Sequence, residues 1–255
     1  MNVLETKQLT KKYDGKTVLR DISFVLTPGI YGLLGPNGAG KSTLMSILTC
    51  NLHSYSGAVF WNGSDIKTLG KRYRSVLGYV PQEAGLYPEF TIQRFMEYMA
   101  VLQEIAPAVM SDKISYSLSA VGLLSSAGQK IRTLSGGMKQ RLLIAQALIS
   151  EPDLLIMDEP SAGLDPKQRV AVRELISDYA AKDKIVLIAT HIVSDVESIA
   201  DRFLLMDEGV LLCEGNRAFL INRVAENANL NRACINMENV YLYYFRGHND
   251  KADWV

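Results

Sequence analysis

A glycine-rich stretch near the start of the chain has the composition of a phosphate-binding loop. Residues 35–42 read Gly-Pro-Asn-Gly-Ala-Gly-Lys-Ser, which fits the pattern G-x-x-x-x-G-K-[ST]. Glycines let the backbone turn tightly and point N–H groups at phosphate oxygens, and a following helix adds the positive end of its dipole. The lysine can reach the β- and γ-phosphates, and the serine hydroxyl can ligate Mg²⁺. The predicted phosphate contacts are Asn37, Gly38, Ala39, Gly40, Lys41, Ser42 and Thr43.

A pair of acidic residues provides the second half of such a site. Asp158 and Glu159 follow the apolar run Leu154–Met157, which predicts a buried strand. In open α/β sheets, ligands bind at the carboxyl ends of the strands. Asp158 is therefore predicted to hold Mg²⁺, directly or through water. Glu159 is predicted to be the general base for an attacking water, a role that contributes about 10²–10⁴-fold to a rate.

The elements around these residues alternate between strand and helix. The segments Val18–Val25 and Ile30–Leu34 are typical of strands, and Leu44, Ile47 and Leu48 show helical spacing after the loop. Such alternation predicts an α/β fold with a mainly parallel sheet covered by helices. Further elements are expected at Leu77–Val80 (strand), 138–149 (helix), Leu154–Met157 (strand), Asp165–Tyr179 (helix) and Ile185–Ala189 (strand).

Two segments stand apart from this alternation. Residues from about 91 to 121 carry helical periodicity without a strand-like run, which predicts a helical insert at about 86–135. Near the end, Met237, Val240, Tyr241, Tyr244 and Phe245 follow helical spacing, which predicts a short amphipathic helix that ends near Gly247. That helix can pack on its own domain or form a docking face for a partner.

Composition narrows the classes of function. Basic and acidic residues balance at 27 each, so no nucleic-acid partner is expected. The three cysteines are isolated and lack metal-ligand spacing, which is typical of reduced thiols in a cytosolic protein. No apolar run approaches the roughly 20 residues that span a bilayer, and the first residues lack the apolar core of a secretory signal. For work at a membrane, a separate chain must supply the membrane part.

From about Leu4 to Gly215 the sequence resembles the ATP-binding-cassette (ABC) ATPase family. The most diagnostic segment, Leu134–Arg141, reads Leu-Ser-Gly-Gly-Met-Lys-Gln-Arg and is similar to the signature of that family. The resemblance implies a P-loop NTPase fold with an N-terminal antiparallel β element and a helical insert. It also implies that Ser135, Gly136 and Gly137, at a helix N-terminus, contact the γ-phosphate of ATP bound to the opposing subunit.

The remaining family elements appear in the family's order. By resemblance, Gln82 touches Mg²⁺ and links the site to the insert, while Ser161–Asp165 forms the loop that crosses the dimer. His191 resembles the histidine that contacts the γ-phosphate. Tyr13 matches the aromatic residue that stacks on adenine, for which its flat ring is suited.

These resemblances imply a division of the chain and an assembly. Residues 1–215 are expected to form the ABC ATPase domain, and residues 216–255 a C-terminal extension packed on the domain or on a partner. Because each site needs a phosphate loop and a signature from opposing subunits, a homodimer with ATP and Mg²⁺ in two sites is expected. The alternative is a dimer with a paralogous partner.

Three kinds of ABC protein compete as the function. A transporter subunit would act with an integral membrane permease at the cytoplasmic face of the cell membrane. A ribosome-associated protein would usually carry two cassettes, and a chromosome or repair ATPase needs a long coiled coil for which positions 41–135 leave no room. A soluble assembly ATPase is harder to exclude.

Two segments favour export over import. Residues 79–92, with Tyr-Val-Pro-Gln-Glu at their start, and the tail Met237–Leu242 are similar to bacterial subunits of antibiotic- and bacteriocin-resistance exporters. The surface that couples to the permease is expected between Gln82 and about Val101. Aromatic residues there, such as Tyr87 and Phe90, either meet the permease or pack within the insert.

Overall fold

The computed structural model describes residues 1–82, 85–228 and 231–245. The predicted end of the last helix near Gly247 and the residue Glu83 lie outside the described residues. The strands are β1 (Leu4–Tyr13), β2 (Lys16–Leu26), β3 (Gly29–Leu34), β4 (Ser56–Trp61), β5 (Ser64–Asp65), β6 (Leu77–Val80), β7 (Leu154–Asp158), β8 (Ile185–Thr190), β9 (Arg202–Asp207) and β10 (Val210–Gly215). The helices are α1 (Lys41–Leu48), α2 (Ile66–Leu69), α3 (Lys71–Ser75), α4 (Ile92–Leu102), α5 (Pro107–Ala120), α6 (Gly136–Leu148), α7 (Pro166–Ala180), α8 (Arg217–Ala228) and α9 (Met237–Phe245).

A six-stranded sheet forms the centre of the fold. Its strand order is β10-β9-β3-β8-β7-β6, and every pair is parallel except the hairpin of β9 and β10. All residues of β7 and β8 are buried, which explains why these strands read as continuous apolar runs. The predicted, mainly parallel α/β fold is therefore confirmed.

The side chains of each central strand alternate between two hydrophobic cores. On β7, Leu154 and Ile156 pack into a core shared with α1 and the four-stranded sheet, whereas Leu155 and Met157 pack into a core shared with α4 to α9. The sheet thus has a cover on both faces, as parallel sheets require.

The cover on one face is a smaller antiparallel sheet. Its strand order is β2-β1-β4-β5, and its long β1–β2 hairpin turns at Asp14 and Gly15. Leu4, Leu9 and Leu19 from this sheet are fully buried against the central sheet and α1. This layer corresponds to the antiparallel β element that the resemblance implied.

Helices dominate the other face. Between residues 85 and 135, the described chain forms α4 and α5, each of which begins with a residue suited to a helix start. Thr91 caps α4 by accepting a hydrogen bond from the N–H of Arg94, and Pro107 occupies the first turn of α5. Helices α8 and α9 pack on each other, and α9 also packs on the 3₁₀ turn Val193–Asp195. The C-terminal helices therefore lie against their own chain. The domain boundaries at about 86–135 and 215 remain predictions.

Candidate functional site

The predicted phosphate loop joins the carboxyl end of β3 to α1. Gly40 precedes α1 with a φ of +100°, in the left-handed region that glycine adopts at little cost. Gly35 is required for a different reason. A Cβ on it would lie 2.1 Å from the carbonyl oxygen of Met206 on β9. The loop therefore depends on glycine both for its turn and for its close approach to the sheet.

Lys41 lies buried inside this loop. Its Nζ donates to the carbonyl oxygens of Gly35 at 2.6 Å and Pro36 at 3.0 Å. Burial lowers the pKa of Lys41, and the nearby carboxylates of Glu159 and Asp158 oppose that shift. The ammonium group thus faces two acidic side chains at the first turn of α1, where helix N–H groups also favour an anion.

Asp158 ends the buried strand β7 and faces Ser42. Burial raises the pKa of Asp158, while a hydrogen bond with the side chain of Ser42 and the charge of Lys41 oppose that shift. Gln82 lies at the same cavity. A hydroxyl, an amide and one carboxylate provide the oxygen ligands that Mg²⁺ prefers, and Mg²⁺ usually binds one or two carboxylates together with phosphates. These donors fit that ion. The described residues contain no cluster of three or more His, Cys, Asp or Glu that could hold a metal by itself.

Glu159 lies in a left-handed backbone conformation and is held by several hydrogen bonds. It is the first residue after β7, it is buried, and its φ is +50°, which is uncommon for a residue with a side chain. Its carboxylate accepts hydrogen bonds from the Thr190 hydroxyl at 3.0 Å and from the backbone N–H of His191 at 3.1 Å. The imidazole Nδ1 of His191 lies 2.7 Å from Glu159 Oε1. Both partners come from the carboxyl end of the neighbouring strand β8.

Residues of the phosphate loop, together with Gln82, Asp158 and Glu159, line one open cavity of about 210 Å³. The cavity lies at the edge of the sheet where parallel strands end, as expected for an open α/β fold. The predicted residues that line it are Asn37, Gly38, Gly40, Lys41, Ser42, Thr43, Gln82, Asp158 and Glu159. Ala39 is buried behind the loop, where its carbonyl oxygen accepts a hydrogen bond from the N–H of Gly209. His191 is not among the residues that line the cavity; its imidazole contacts Glu159, and about half of its side chain is exposed.

The predicted signature lies outside this cavity. Ser135 caps α6 by accepting a hydrogen bond from the N–H of Met138 at 3.2 Å, and both Ser135 and Gly136 are exposed. Gly137 is buried, and a Cβ there would lie 2.3 Å from Oε1 of Gln168. The structure therefore presents an open helix N-terminus at Ser135 and Gly136, whereas Gly137 also serves the packing of α6 on α7.

Tyr13 also lies outside the cavity. It ends β1, and 44% of it is exposed. The Nζ of Lys11 lies 4.4 Å from the centre of its ring, which is a cation–π contact. Lys11 is itself buried and donates to the carbonyl oxygen of Ser54 at 2.7 Å. One face of the Tyr13 ring is therefore held by its own chain.

Two residues of the site carry no motif in the sequence. Thr190 is fully buried and orients Glu159, and Val18 of β2 lines the cavity. The position of Thr190 directly after the apolar run of β8 is a signal for a strand end. The sequence alone does not reveal which carboxylate its hydroxyl would meet.

The stretch that contains the glycine-rich loop and the acidic pair also matches a known family. A sequence model described as ABC transporter matches residues 19–162, more than half of the chain. The chain belongs to the ABC transporter family. Within it, the chain corresponds to an ATP-binding subunit. It is 35% identical to the Nod factor export ATP-binding protein I of Burkholderia pseudomallei (strain K96243) over 223 residues, which are 86% of this chain and 72% of the relative.

Other members of the ABC transporter family agree with this assignment. The linearmycin resistance ATP-binding protein LnrL of Bacillus subtilis (strain 168) is 34% identical over 223 residues, 87% of this chain and 72% of the relative. A solved ATP binding subunit of an ABC transporter superposes with a TM-score of 0.83 at 28% identity, covering 94% of this chain and 98% of that one. The predicted family and fold are thus confirmed. None of the helices in the described residues is long and apolar enough to cross a membrane.

Proposed function

We propose that this chain binds ATP with Mg²⁺, hydrolyses the ATP, and powers export through a separate membrane permease. The observation that supports it best is the meeting of Lys41, Ser42, Asp158 and Glu159 around one cavity. Burial lowers the pKa of Lys41 and raises that of Asp158, so the charged form of each group is less stable there than it would be in water. Charges of both signs kept together at such a cost are typical of a functional site.

The phosphate loop would hold the triphosphate. The N–H groups at the start of α1 and the ammonium of Lys41 favour a polyanion at the cavity. Ser42, Asp158 and Gln82 would hold Mg²⁺. When bound, Mg²⁺ neutralises charge on the β- and γ-phosphate oxygens during phosphoryl transfer. Tyr13 would stack on adenine with the ring face that Lys11 does not cover.

Glu159 would act as the general base. Hydrogen bonds from Thr190 and His191 fix both of its carboxylate oxygens, so the carboxylate needs little further ordering to accept a proton from the attacking water. The half-exposed imidazole of His191 would add a contact to the γ-phosphate.

Two copies of the chain would share each ATP. The exposed helix end at Ser135 and Gly136 lies outside the cavity of its own chain and has the N–H groups and dipole that bind an anion. In a homodimer, this end would face the γ-phosphate held by the other copy. The loop Ser161–Asp165, which follows Glu159, would cross the same interface.

Relatives support the direction of transport, and one surface supports contact with a permease. Relatives named for Nod factor export and for linearmycin resistance support an exporter, which would place the chain at the cytoplasmic face of a membrane beside its permease. Between Gln82 and Val101, three aromatic rings form a cluster. Tyr87 stacks on Phe90 with ring centres 5.0 Å apart and meets Tyr98 edge-on at 5.5 Å. Tyr87 and Tyr98 remain exposed, as a surface that receives a permease helix would be.

The test is to identify the chain's partners in its ATP-bound form. Tagged Glu159→Gln protein is purified from detergent-solubilised cells with ATP and Mg²⁺, and copurifying chains are identified by mass spectrometry. We expect a polytopic membrane protein in stoichiometric amount. A Lys41→Ala variant, in which ATP binding should be weakened, is the matched control. Recovery of ribosomal proteins or a soluble scaffold without a membrane chain would refute transport and favour an assembly ATPase.

A further inference from the structure

An arginine on α7 contacts two separate loops of the site. The Nε of Arg169 donates to the carbonyl oxygen of Leu164 at 3.2 Å, and its Nη1 lies 3.3 Å from Oδ1 of Asp195. Leu164 belongs to the loop that follows Glu159, and Asp195 belongs to the 3₁₀ turn that follows His191. One guanidinium group thus joins the segments that carry the two hydrogen-bonded side chains of the proposed active site.

The pair between Arg169 and Asp195 is built into the interior. Asp195 is only 5% exposed, and the side chain of Arg169 is 31% exposed. A buried carboxylate needs a partner, because leaving it unpaired is strongly unfavourable. The planar guanidinium can serve that carboxylate and a carbonyl oxygen at once, which the single ammonium of a lysine does less well. The geometry is therefore specific to arginine.

We infer that Arg169 is a positioning residue that holds the side chains of Glu159 and His191 in place relative to each other and to the cavity. This inference rests on the proposed function, since it concerns the base of the same ATPase site. Glu159 and His191 are joined at 2.7 Å. Each lies in a short connection after its strand, and Arg169 ties the far ends of those two connections together. A shift of either loop would then move both side chains relative to the cavity.

The same helix supplies a matched control. Arg173, one turn after Arg169, donates from Nη1 to the carbonyl oxygen of Ser194 at 2.9 Å. It anchors the same 3₁₀ turn as Arg169. That hydrogen bond does not reach the loop after Glu159. If anchoring of the turn were all that mattered, loss of Arg173 would lower kcat as well, although only loss of Arg169 removes the ion pair of the buried Asp195.

The experiment compares Arg169→Met with Arg173→Met by steady-state ATPase kinetics. For Arg169→Met we expect kcat to fall about 10-fold or more with KM for ATP within about two-fold of wild type, since small misplacement of catalytic groups costs rate. For Arg173→Met we expect both constants within about two-fold. Arg169→Lys keeps the positive charge but lacks the planar guanidinium that donates to both acceptors, so it should give an intermediate kcat.

A second readout does not depend on activity. The chain has three histidines, His53, His191 and His248, so the imidazole nitrogen resonances are few and a His191→Gln variant assigns one of them. We expect the Nδ1 resonance of His191 to move in Arg169→Met and to stay in place in Arg173→Met. The same spectrum tests the positioning role in a variant that folds but hydrolyses ATP too slowly to assay.

The outcomes separate this inference from the proposed function. An Arg169→Met protein with wild-type kcat and an unmoved His191 resonance would overturn the positioning role and leave the ATPase assignment intact. Equal losses in Arg169→Met and Arg173→Met would also overturn it, because the effect would then be stability of the turn. A wild-type protein without ATPase activity would instead refute the proposed function, and the resonance of His191 would still report on the bridge.

Discussion

Thr190 offers the most quantitative test of the site, through the change Thr190→Val. The side chain is fully buried, and valine has nearly the same shape. The hydroxyl of Thr190 donates to Glu159 Oε2 at 3.0 Å and accepts from the N–H of Ile192 at 3.0 Å. Valine therefore removes two hydrogen bonds and leaves the volume of the interior almost unchanged.

The expected loss follows from those two bonds. A hydrogen bond to a charged group contributes about 1.5–3 kcal/mol, and a buried N–H left without a partner costs about 1–3 kcal/mol. Because Ile192 is only partly buried, the second contribution belongs at the lower end. We expect Thr190→Val to lower the free energy of unfolding by about 3 kcal/mol.

The assay is urea denaturation followed by tryptophan fluorescence, for which the buried Trp61 is a reporter. The midpoint should fall while the m-value stays constant, since the surface exposed on unfolding does not change. Thr190→Ser keeps the hydroxyl and is the matched control, with a smaller loss expected. A Thr190→Val protein within about 1 kcal/mol of wild type, or a Thr190→Ser protein as unstable as Thr190→Val, would refute the reasoning.

Four further predictions concern the same cavity. Glu159→Gln should bind ATP, form an ATP-dependent dimer visible by size-exclusion chromatography, and hydrolyse ATP at least about 10²-fold more slowly; a normal rate would contradict its role as base. Lys41→Ala should weaken ATP binding measured by calorimetry, and an unchanged affinity would exclude its phosphate contact. Asp158→Asn should raise Tm at neutral pH while Mg²⁺-dependent ATPase is lost. Burial raises the pKa of Asp158, so the folded state binds the proton more tightly than the unfolded state, and the charged carboxylate lowers stability at any pH above its ordinary pKa. An unchanged or lower Tm in Asp158→Asn would contradict this reasoning. Gly35→Ala should lower Tm, because the added methyl would overlap the carbonyl oxygen of Met206, and an unaffected Tm would refute that close approach.

The sequence predicts the centre of this fold well, because the environment of each segment there determines which residue types the segment contains. Strands β7 and β8 are buried on both faces, so they must be short continuous apolar runs, and their predicted positions agree with the structure within one residue. The glycine-rich loop is equally legible, since its composition directly reflects the turn and the anion that it serves. Nine of the predicted site residues line the cavity for this reason.

Other features depend on contacts between segments that are distant in the chain, and the sequence does not show which of these segments meet. The sequence does not predict that the run Arg202–Asp207 pairs with β3, the strand that leads into the phosphate loop. The bond of Thr190 to Glu159 and the bridge of Arg169 to Asp195 join segments whose neighbourhood exists only in the folded chain. The resemblance assigns Gly137 to anion binding alone, whereas the structure also places it against Gln168.

The position of β3 has a consequence for how the protein is made. Both of its neighbours in the sheet, β8 and β9, come from the last third of the chain. A ribosome synthesises the phosphate loop early, yet the strands that flank its supporting strand emerge only near the end of translation, at about 5–20 residues per second. Because such distant pairings form slowly, the nascent chain must carry an unpaired apolar strand for many seconds. Chaperone contacts during synthesis should therefore concentrate on Ile30–Leu34.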